Sequence, residues 1–385
     1  MKYCRMYIFL LSVAVGVESI FCAAAFAKSG AGNNANGTLP ESGRELYRLS
    51  CAACHGSDGR GAPASMVGFE TALPDFTDCN FSTREAEADW VIVTAEGGPA
   101  RGFSEIMPAF SDALTEEQII KIIRYIRTFS ECEQWPRGEL NLPRALYTTK
   151  AYPEDEVVLQ SDIKTDGLDK ISNKLVYERR IGPRDQIEVV VPFGFNTIET
   201  VDNGTHKEWT SSLGDLTLAA KRVLFHSMKS KSIFSAGGEV ILPTGDEDEG
   251  FGKGTTVFEP YLAYGKLFPE DYFVQLQSGF ELPCDDDHVQ NEVFWRMATG
   301  RIFGIGRYGS SWVPMVEILG SKNIDRGNDA EWDIAPQLQI ALNKRQHVRL
   351  SIGARIPLNH TDERNPIYAA YLLWDTFDGG FFEGW

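Results

Sequence analysis

The stretch Cys51-Ala52-Ala53-Cys54-His55, followed by Gly56, decides how the N-terminal part of this chain is interpreted. Two thiols three positions apart, near the end of a helix, can reach the two vinyl groups of one porphyrin. The next residue, His55, then lies where its imidazole can be an axial ligand of the iron. The sequence therefore predicts one covalently bound haem c. A surface disulfide or half of a zinc site is the alternative for such a cysteine pair.

Residues 1–27 have the features of a secretory signal peptide. Lys2 and Arg5 supply a positive start, residues 6–17 are apolar, and Ala25-Phe26-Ala27 is a cleavage motif. The apolar stretch is too short to span a bilayer as a helix. The sequence thus predicts export, with residues 28–40 forming a flexible N-terminal segment.

The segment over residues 41–136 carries the helix signals that accompany the cysteine motif. Ser42 and Glu45 have the spacing of a capping box, which predicts a helix running to about Ser50. A second capping box at residues 115–118 predicts a helix from about 116 to 129. Pro63 is expected to fix a backbone carbonyl that accepts a hydrogen bond from His55.

Met107 is predicted to be the sixth ligand of the iron, because a thioether suits a cytochrome used for electron transfer. Pro108 follows it and stiffens an extended loop that can cross the distal face of the haem. Met66 is the other candidate, but it lies only 11 residues beyond His55, so the opposite face is hard to reach. Either methionine can instead be core filler.

The segment from Ser42 to Phe129 resembles a class I cytochrome c, a small all-α domain. The resemblance implies one covalent haem ligated by His55 and Met107, and one-electron transfer. In that family the first and last helices cross at a glycine and an aromatic residue, positions that Gly43 and Tyr125 match. The residues that carry the resemblance are Gly43, Tyr47, Cys51, Cys54, His55, Gly56, Met107, Pro108, Phe110 and Tyr125.

Cysteine usage agrees with export to an oxidising compartment, where disulfides persist. Cys4 and Cys22 leave with the signal peptide, so five of the seven cysteines remain. Cys79 and Cys132 flank the rest of the haem segment, which predicts a disulfide between them, with two buried thiols as the alternative. The last cysteine begins the string Cys-Asp-Asp-Asp-His at 284–288, which indicates a solvated turn, with a metal site as the alternative.

Size and charge limit the possible functions. The chain has 385 residues, enough for two domains, and a net charge of −17. Nucleic-acid phosphates would repel such a chain, so binding to nucleic acid is not expected.

Residues 137–156 are predicted to be a linker, and residues 157–385 show the alternation of strands rather than helices. In residues 272–283, for example, Val274 and Leu276 alternate with Gln275 and Gln277. About twelve segments have this pattern: 157–165, 171–180, 185–193, 213–226, 232–244, 255–267, 272–283, 291–304, 309–321, 330–344, 346–358 and 366–377.

Two architectures fit these strands: a soluble sandwich or barrel with the apolar stripe inside, and a membrane barrel with that stripe facing lipid. Many runs reach the ~9–11 residues that a tilted strand needs to cross a bilayer. The even number and the polar second stripe are typical of outer-membrane barrels. A twelve-stranded barrel is also too wide for apolar side chains to fill. The predicted fold is therefore an all-α cytochrome c domain followed by an antiparallel transmembrane barrel.

The C-terminal segment resembles small outer-membrane barrels of the transporter type. The chain ends in an aromatic residue, Trp385, as many such barrels do, although Asp378-Gly379-Gly380 interrupts the last strand pattern. The resemblance implies the outer membrane of a Gram-negative bacterium, contact with its lipid, and a haem domain in the periplasm.

Three functions are compatible with this organisation. The first is one-electron transfer with periplasmic redox partners by a tethered cytochrome. The second is a channel or solute transporter whose haem domain is a sensor or an anchor. The third is an enzyme with peroxidase-like or oxygen chemistry, which needs an open position on the iron, and Met107 speaks against it. Whether the chain is an enzyme and how it oligomerises stay open.

Overall fold

Helices occupy the first part of the described chain and strands the rest. The computed structural model describes residues 42–165, 169–201, 205–304, 311–324 and 329–376. The predicted signal peptide, the segment 28–40 and the terminal Trp385 lie outside the described residues.

The N-terminal part is helical, as predicted. Ser42 caps the first helix by accepting the N–H of Glu45, and Thr115 and Gln118 form the predicted capping box of the last. None of the described helices has the length and apolarity that crossing a membrane requires. The helices are α1 (Gly43–Ser50), α2 (Ala52–His55), α3 (Ala64–Val67), α4 (Cys79–Ser82), α5 (Glu87–Glu96) and α6 (Glu116–Ile126).

Helices α1 and α6 cross at Gly43 and Tyr125. A Cβ atom on Gly43 would lie 2.1 Å from the carbonyl oxygen of Lys121 and 3.2 Å from Cβ of Tyr125, so only glycine allows this approach. Buried Leu46 and Ile122 lie in the core that the two helices share. The helix crossing implied by the cytochrome c resemblance is therefore present.

Cys79 and Cys132 form a disulfide, as predicted. The bond ties α4 to the chain that follows α6, across a sequence separation of 53 residues.

The second part consists of antiparallel strands that close into a barrel. Strands β1 and β13 pair along their whole length, and β2 and β3 complete the ring. The strands are β1 (Glu156–Lys164), β2 (Lys170–Ile181), β3 (Asp185–Val201), β4 (Thr205–Leu213), β5 (Thr217–Ser227), β6 (Ser232–Ile241), β7 (Val257–Leu267), β8 (Tyr272–Pro283), β9 (Glu292–Arg301), β10 (Trp312–Asn323), β11 (Glu331–Ala341), β12 (Val348–Pro357) and β13 (Ile367–Asp375).

Strands β4 and β5 pair with different halves of β3, so together they take one position in the wall. The thirteen described strands therefore form a closed barrel with twelve positions. The long strand β3 pairs with β5 along its first half and with β4 along its second half. The break between β4 and β5 lies at Asp215, whose carboxylate accepts the N–H groups of Gly245 and Lys253. The predicted number of strands is confirmed.

Among the strands, β4 was not predicted, and β3 continues to Val201 rather than ending at 193. The sequence from 205 to 213 is mostly polar, with Trp209 and Leu213 as its large apolar residues, so it shows too little alternation to predict a strand.

The barrel turns its apolar side chains outward and its polar side chains inward. In β8, Gln275 is 1% exposed, whereas Leu276 is 41% exposed. A soluble barrel would show the opposite arrangement, since apolar burial stabilises a water-soluble fold. Large apolar side chains on the outer face include Leu159, Leu175, Leu218, Leu262, Leu276, Phe280, Ile340, Ile352 and Tyr368.

The two ends of the barrel differ in their connections. At the end where β1 begins, the connections 182–184, 228–231, 268–271 and 342–347 are short, and only 302–311 is longer. At the other end, the connections 242–256, 284–291, 324–330 and 358–366 have seven to fifteen residues, whereas 165–169 and 202–204 are short. The helical domain lies at the end with the short connections, where His347 contacts Glu85 and Arg184 donates to the carbonyl of Gln134.

Residues 138–155, here called the plug, lie inside the barrel, although the sequence predicted only a linker over 137–156. Most of this segment is buried, including Leu142, Leu146 and Tyr152. The plug extends from the helical domain to the middle of the barrel and returns to the start of β1. Side chains of β1, β2, β3, β5, β6, β8, β9, β10, β11 and β13 hydrogen-bond to it.

Glu317 of β10 holds the innermost part of the plug. Its carboxylate accepts the backbone N–H of Leu146 at 3.0 Å, of Tyr147 at 3.2 Å and of Thr148 at 2.7 Å. It also accepts the hydroxyl of Thr148 and the amide of Gln337, both at 2.6 Å. The side chain is completely buried, so these five donors replace its water.

Charged groups hold the base of the plug. Arg144 donates to Glu156 at 2.6 Å and to Glu178 at 3.1 Å. Lys150 forms ion pairs with Glu154 and Glu156. Because Lys150 and the three carboxylates are buried and Arg144 is largely so, removing one partner would leave the other without compensation.

We expect Glu317→Ala to loosen the plug, because three backbone N–H groups lose their acceptor in a buried site. The free energy of unfolding of the full chain in detergent should fall by on the order of 2 kcal/mol or more. Heat-modifiable gel mobility and urea titration measure this change. Glu270→Ala, in an exposed turn, is the matched control, and equal stability of both variants would contradict the role of Glu317.

Candidate functional site

A cavity of about 500 Å³ opens in the helical domain and contains all of the predicted site residues. Cys51, Cys54, His55 and Met107 all line it. Its remaining surface is largely aromatic and aliphatic, with Phe76, Phe81, Trp90, Phe110, Ile122 and Ile126 among the lining residues.

The junction of α1 and α2 positions the cysteine motif. Cys51 ends α1 and begins α2, and its carbonyl accepts the N–H of His55 at 2.9 Å. The hydroxyl of Tyr47 donates to the carbonyl of Gly56 at 2.7 Å and thereby holds the turn that follows. These hydrogen bonds hold the motif at both of its ends.

Cys51 and Cys54 are free thiols in this structure. Burial raises the pKa of the Cys51 thiol to about 11, with a smaller contribution from Cys54. The surface-disulfide alternative therefore does not describe this pair. Among the described residues, no group of three metal-ligating side chains includes either cysteine, so the zinc alternative has no support.

His55 presents a neutral imidazole to the cavity. Burial lowers the pKa of its ring, which favours the uncharged form that binds metals. The ring stacks on Phe76 with 5.0 Å between centroids. Its buried Nδ1 has no hydrogen-bond partner among the described residues.

The hydrogen bond that His55 was expected to donate to a carbonyl fixed by Pro63 is not seen among the described residues. The carbonyl of Pro63 instead accepts the N–H groups of Met66 and Val67 at 2.8 and 3.4 Å, because α3 begins there.

Met107 lines the cavity, whereas Met66 is 77% exposed and does not. Gly97 and Gly98, which the sequence analysis did not single out, hold the Met107 loop: a Cβ atom on Gly97, whose φ is +83°, would lie 3.0 Å from the carbonyl oxygen of Met107. Gly98 donates its N–H to the carbonyl of Met107 at 3.0 Å, and a Cβ on Gly98 would lie 2.2 Å from the carbonyl oxygen of Ser104. A larger residue at position 98 would therefore displace the loop that presents Met107.

One wall of the cavity is polar, and sequence reasoning missed it. Arg101 donates through Nε to Asp89 at 3.0 Å, and Glu85 meets His347 at 2.9 Å. Burial, together with repulsion from Glu85, raises the pKa of Asp89 to about 6. Burial also opposes ionisation of Glu85, but the hydrogen bond and charge of His347 outweigh it and hold the pKa of Glu85 below its usual range.

These residues fit a covalently held haem. The cavity lies within the size range of cofactor sites, and its walls are apolar as such sites are. It also brings together two thiols, one imidazole with an unsatisfied buried nitrogen, and one thioether. Residues 284–288 form an exposed turn, as predicted, and the alternative of a metal site there has no support, since Cys284 is exposed and His288 pairs with Glu247.

Comparison with known structures finds barrels of similar length at low identity. A KdgM porin has a TM-score of 0.36 at 11% identity, with 57% of this chain and 98% of the porin covered. An outer membrane channel from Pseudomonas putida F1 has a TM-score of 0.42 at 15% identity, with 60% and 99% covered. A NanC porin has a TM-score of 0.40 at 8% identity, with 57% and 98% covered.

Sequence comparison identifies the helical part. Residues 38–126 match the family described as cytochrome c oxidase, cbb3-type, subunit III. No curated protein matches the chain. The match covers the helices, the cysteine motif and Met107, which are the parts that carry the cytochrome c resemblance. This part of the chain is therefore a cytochrome c domain, joined to a closed antiparallel β-barrel of twelve wall positions.

Proposed function

We propose that this chain is a monohaem c-type cytochrome that transfers single electrons in the periplasm and is anchored in the outer membrane by its barrel. The observation that carries the proposal is the convergence of Cys51, Cys54, His55 and Met107 on one cavity. A haem bound there supplies a one-electron Fe(III)/Fe(II) couple.

Each of the four residues has a defined role in this proposal. The thiols of Cys51 and Cys54 attach the cofactor through thioether bonds, which prevents its loss to the periplasm. The imidazole of His55 and the thioether of Met107 would hold the iron of the haem. Both are neutral, and a thioether ligand favours the reduced state.

The two faces of the barrel support the membrane location. Lipid tails favour an apolar outer surface, and a closed barrel leaves no unpaired strand edge in the hydrocarbon. The exposed side chains of Leu218, Leu262 and Ile352 are suited to lipid and not to water.

The connections of the barrel support the orientation. Outer-membrane barrels have short turns on the periplasmic side and longer loops outside. The cytochrome domain lies beside the short connections 182–184 and 342–347, so the proposal places the haem at the periplasmic mouth. There it exchanges electrons with periplasmic redox partners.

The transport alternative requires a path through the lumen. The plug lies in the lumen and hydrogen-bonds to strands around the barrel, including β3 through Gln186, β8 through Gln275 and β10 through Glu317. This arrangement favours an anchor over an open channel. The enzyme alternative needs a vacant iron position, and the place of Met107 in the cavity speaks against it.

The full chain, expressed in a bacterium that matures c-type cytochromes, should carry haem in its outer-membrane fraction. We expect one haem per chain by pyridine haemochrome spectroscopy, and a haem-stained band that survives denaturing gels. The double variant Cys51→Ala/Cys54→Ala should lose the covalent haem, whereas Cys284→Ala, at the exposed cysteine, should retain it. An unmodified mature chain would overturn the proposal.

Met107→Ala should open the sixth coordination position of the iron. We expect a lower midpoint potential and loss of the absorption band of methionine-sulfur coordination, because the thioether stabilises the reduced state. Met66→Ala is the control, since that side chain points to solvent. If the spectrum and potential of Met107→Ala equal those of the wild type, Met107 is not the ligand.

The midpoint potential should fall as the pH rises from 5 to 7. Asp89, with a pKa of about 6, is neutral below this range and anionic above it, and an anion beside the cavity disfavours the added electron. Asp89→Asn should flatten the dependence, and Asp112→Asn, in an exposed turn, should preserve it. Redox titrations at several pH values measure this, and an unchanged slope in Asp89→Asn would exclude Asp89 as its source.

A further inference from the structure

The wall of the cytochrome cavity is not built by the cytochrome domain alone. Arg345 and His347, in the connection 342–347 between β11 and β12, line the cavity together with Cys51 and Met107. Both belong to the barrel, more than 200 residues after the cytochrome domain in the sequence.

Arg345 reaches the loop next to Met107. Its Nη2 donates to the carbonyl of Gly102 at 3.4 Å, and its guanidinium lies 4.8 Å from the ring centroid of Phe103. Cation–π contacts of this kind favour arginine because its flat, delocalised cation stacks on the ring. The barrel thus places a permanent positive charge at the edge of the cavity.

His347 is fixed from the barrel side. The residue is 5% exposed, its N–H donates to Asn343 Oδ1 at 3.0 Å, and its carbonyl accepts the N–H of Asp375 at 2.8 Å. These bonds orient the ring so that Nε2 lies 2.9 Å from Glu85 Oε1. The contact joins a cytochrome carboxylate in the cavity wall to the end of the barrel.

The cytochrome side of this wall carries two carboxylates and one guanidinium, namely Glu85, Asp89 and Arg101. The barrel adds the cation Arg345 and the imidazole of His347, and Arg349 acts on Glu85 from further along β12. In an apolar cavity a nearby charge acts with little screening. The charge balance at the cavity therefore depends on residues from both domains.

We propose that the barrel completes the haem site, with Arg345 and His347 as positioning residues that set the electrostatic potential at the haem. This inference rests on the proposed haem binding and deepens it. It makes the barrel a part of the redox centre as well as an anchor.

The test compares midpoint potentials of the full-length, haem-loaded chain in detergent. Reduction adds negative charge, which Arg345 stabilises, so Arg345→Gln should shift the potential to a more negative value at every pH. Lys344→Gln is the matched control, because it removes the same charge from the same connection, and its exposed side chain does not line the cavity. Its potential should equal that of the wild type.

A second variant, at His347, tests the inference independently in case Arg345→Gln does not fold. His347→Gln keeps an amide that can donate to Glu85 but removes the titratable ring, so it should alter the pH dependence of the potential while the haem content stays at one per chain. Equal shifts of the midpoint potential in Lys344→Gln and Arg345→Gln would overturn the inference. Wild-type potentials in both Arg345→Gln and His347→Gln would also overturn it. In either case the proposal of haem binding would stand. A wild-type chain without haem would overturn both.

Discussion

The polar interior of the barrel is the constraint on which the rest of the structure depends. Burying inward side chains such as Glu317 and Gln275 without hydrogen-bond partners would destabilise the fold. The plug supplies those partners from its own backbone, and it becomes ordered because the wall binds it. Since the plug follows the cytochrome domain directly, the hydrogen bonds that fill the lumen also hold the cytochrome at one end of the barrel.

The cavity of the cytochrome domain depends on the same arrangement. A small helical domain buries too little surface to dispense with its cofactor, and the disulfide between Cys79 and Cys132 adds a covalent restraint. Where the domain meets the end of the barrel, Arg84 pairs with the buried Asp155, and Glu85 meets His347. The two domains are therefore linked by contacts between charged side chains.

Sequence reasoning succeeded where a signal is local. The capping residues Ser42 and Thr115 mark helix starts because they bond to backbone three residues away. The strands were predicted because apolar and polar residues alternate along them, and they alternate because the two faces of each strand meet different surroundings. Strand β4 was missed because its sequence is mostly polar and shows little alternation. The plug was missed because an irregular segment has no period, so nothing in residues 138–155 distinguishes it from an exposed linker.

The sequence by itself determined the cysteine motif, the choice of Met107 over Met66 as the candidate ligand, and the number of wall positions in the barrel, since each follows from spacing along the chain. Only the tertiary structure decided that residues 138–155 lie inside the lumen and that Arg345 and His347 reach the cavity. These features join residues far apart in sequence, and such contacts depend on how closed strands and helices pack, which no local pattern records.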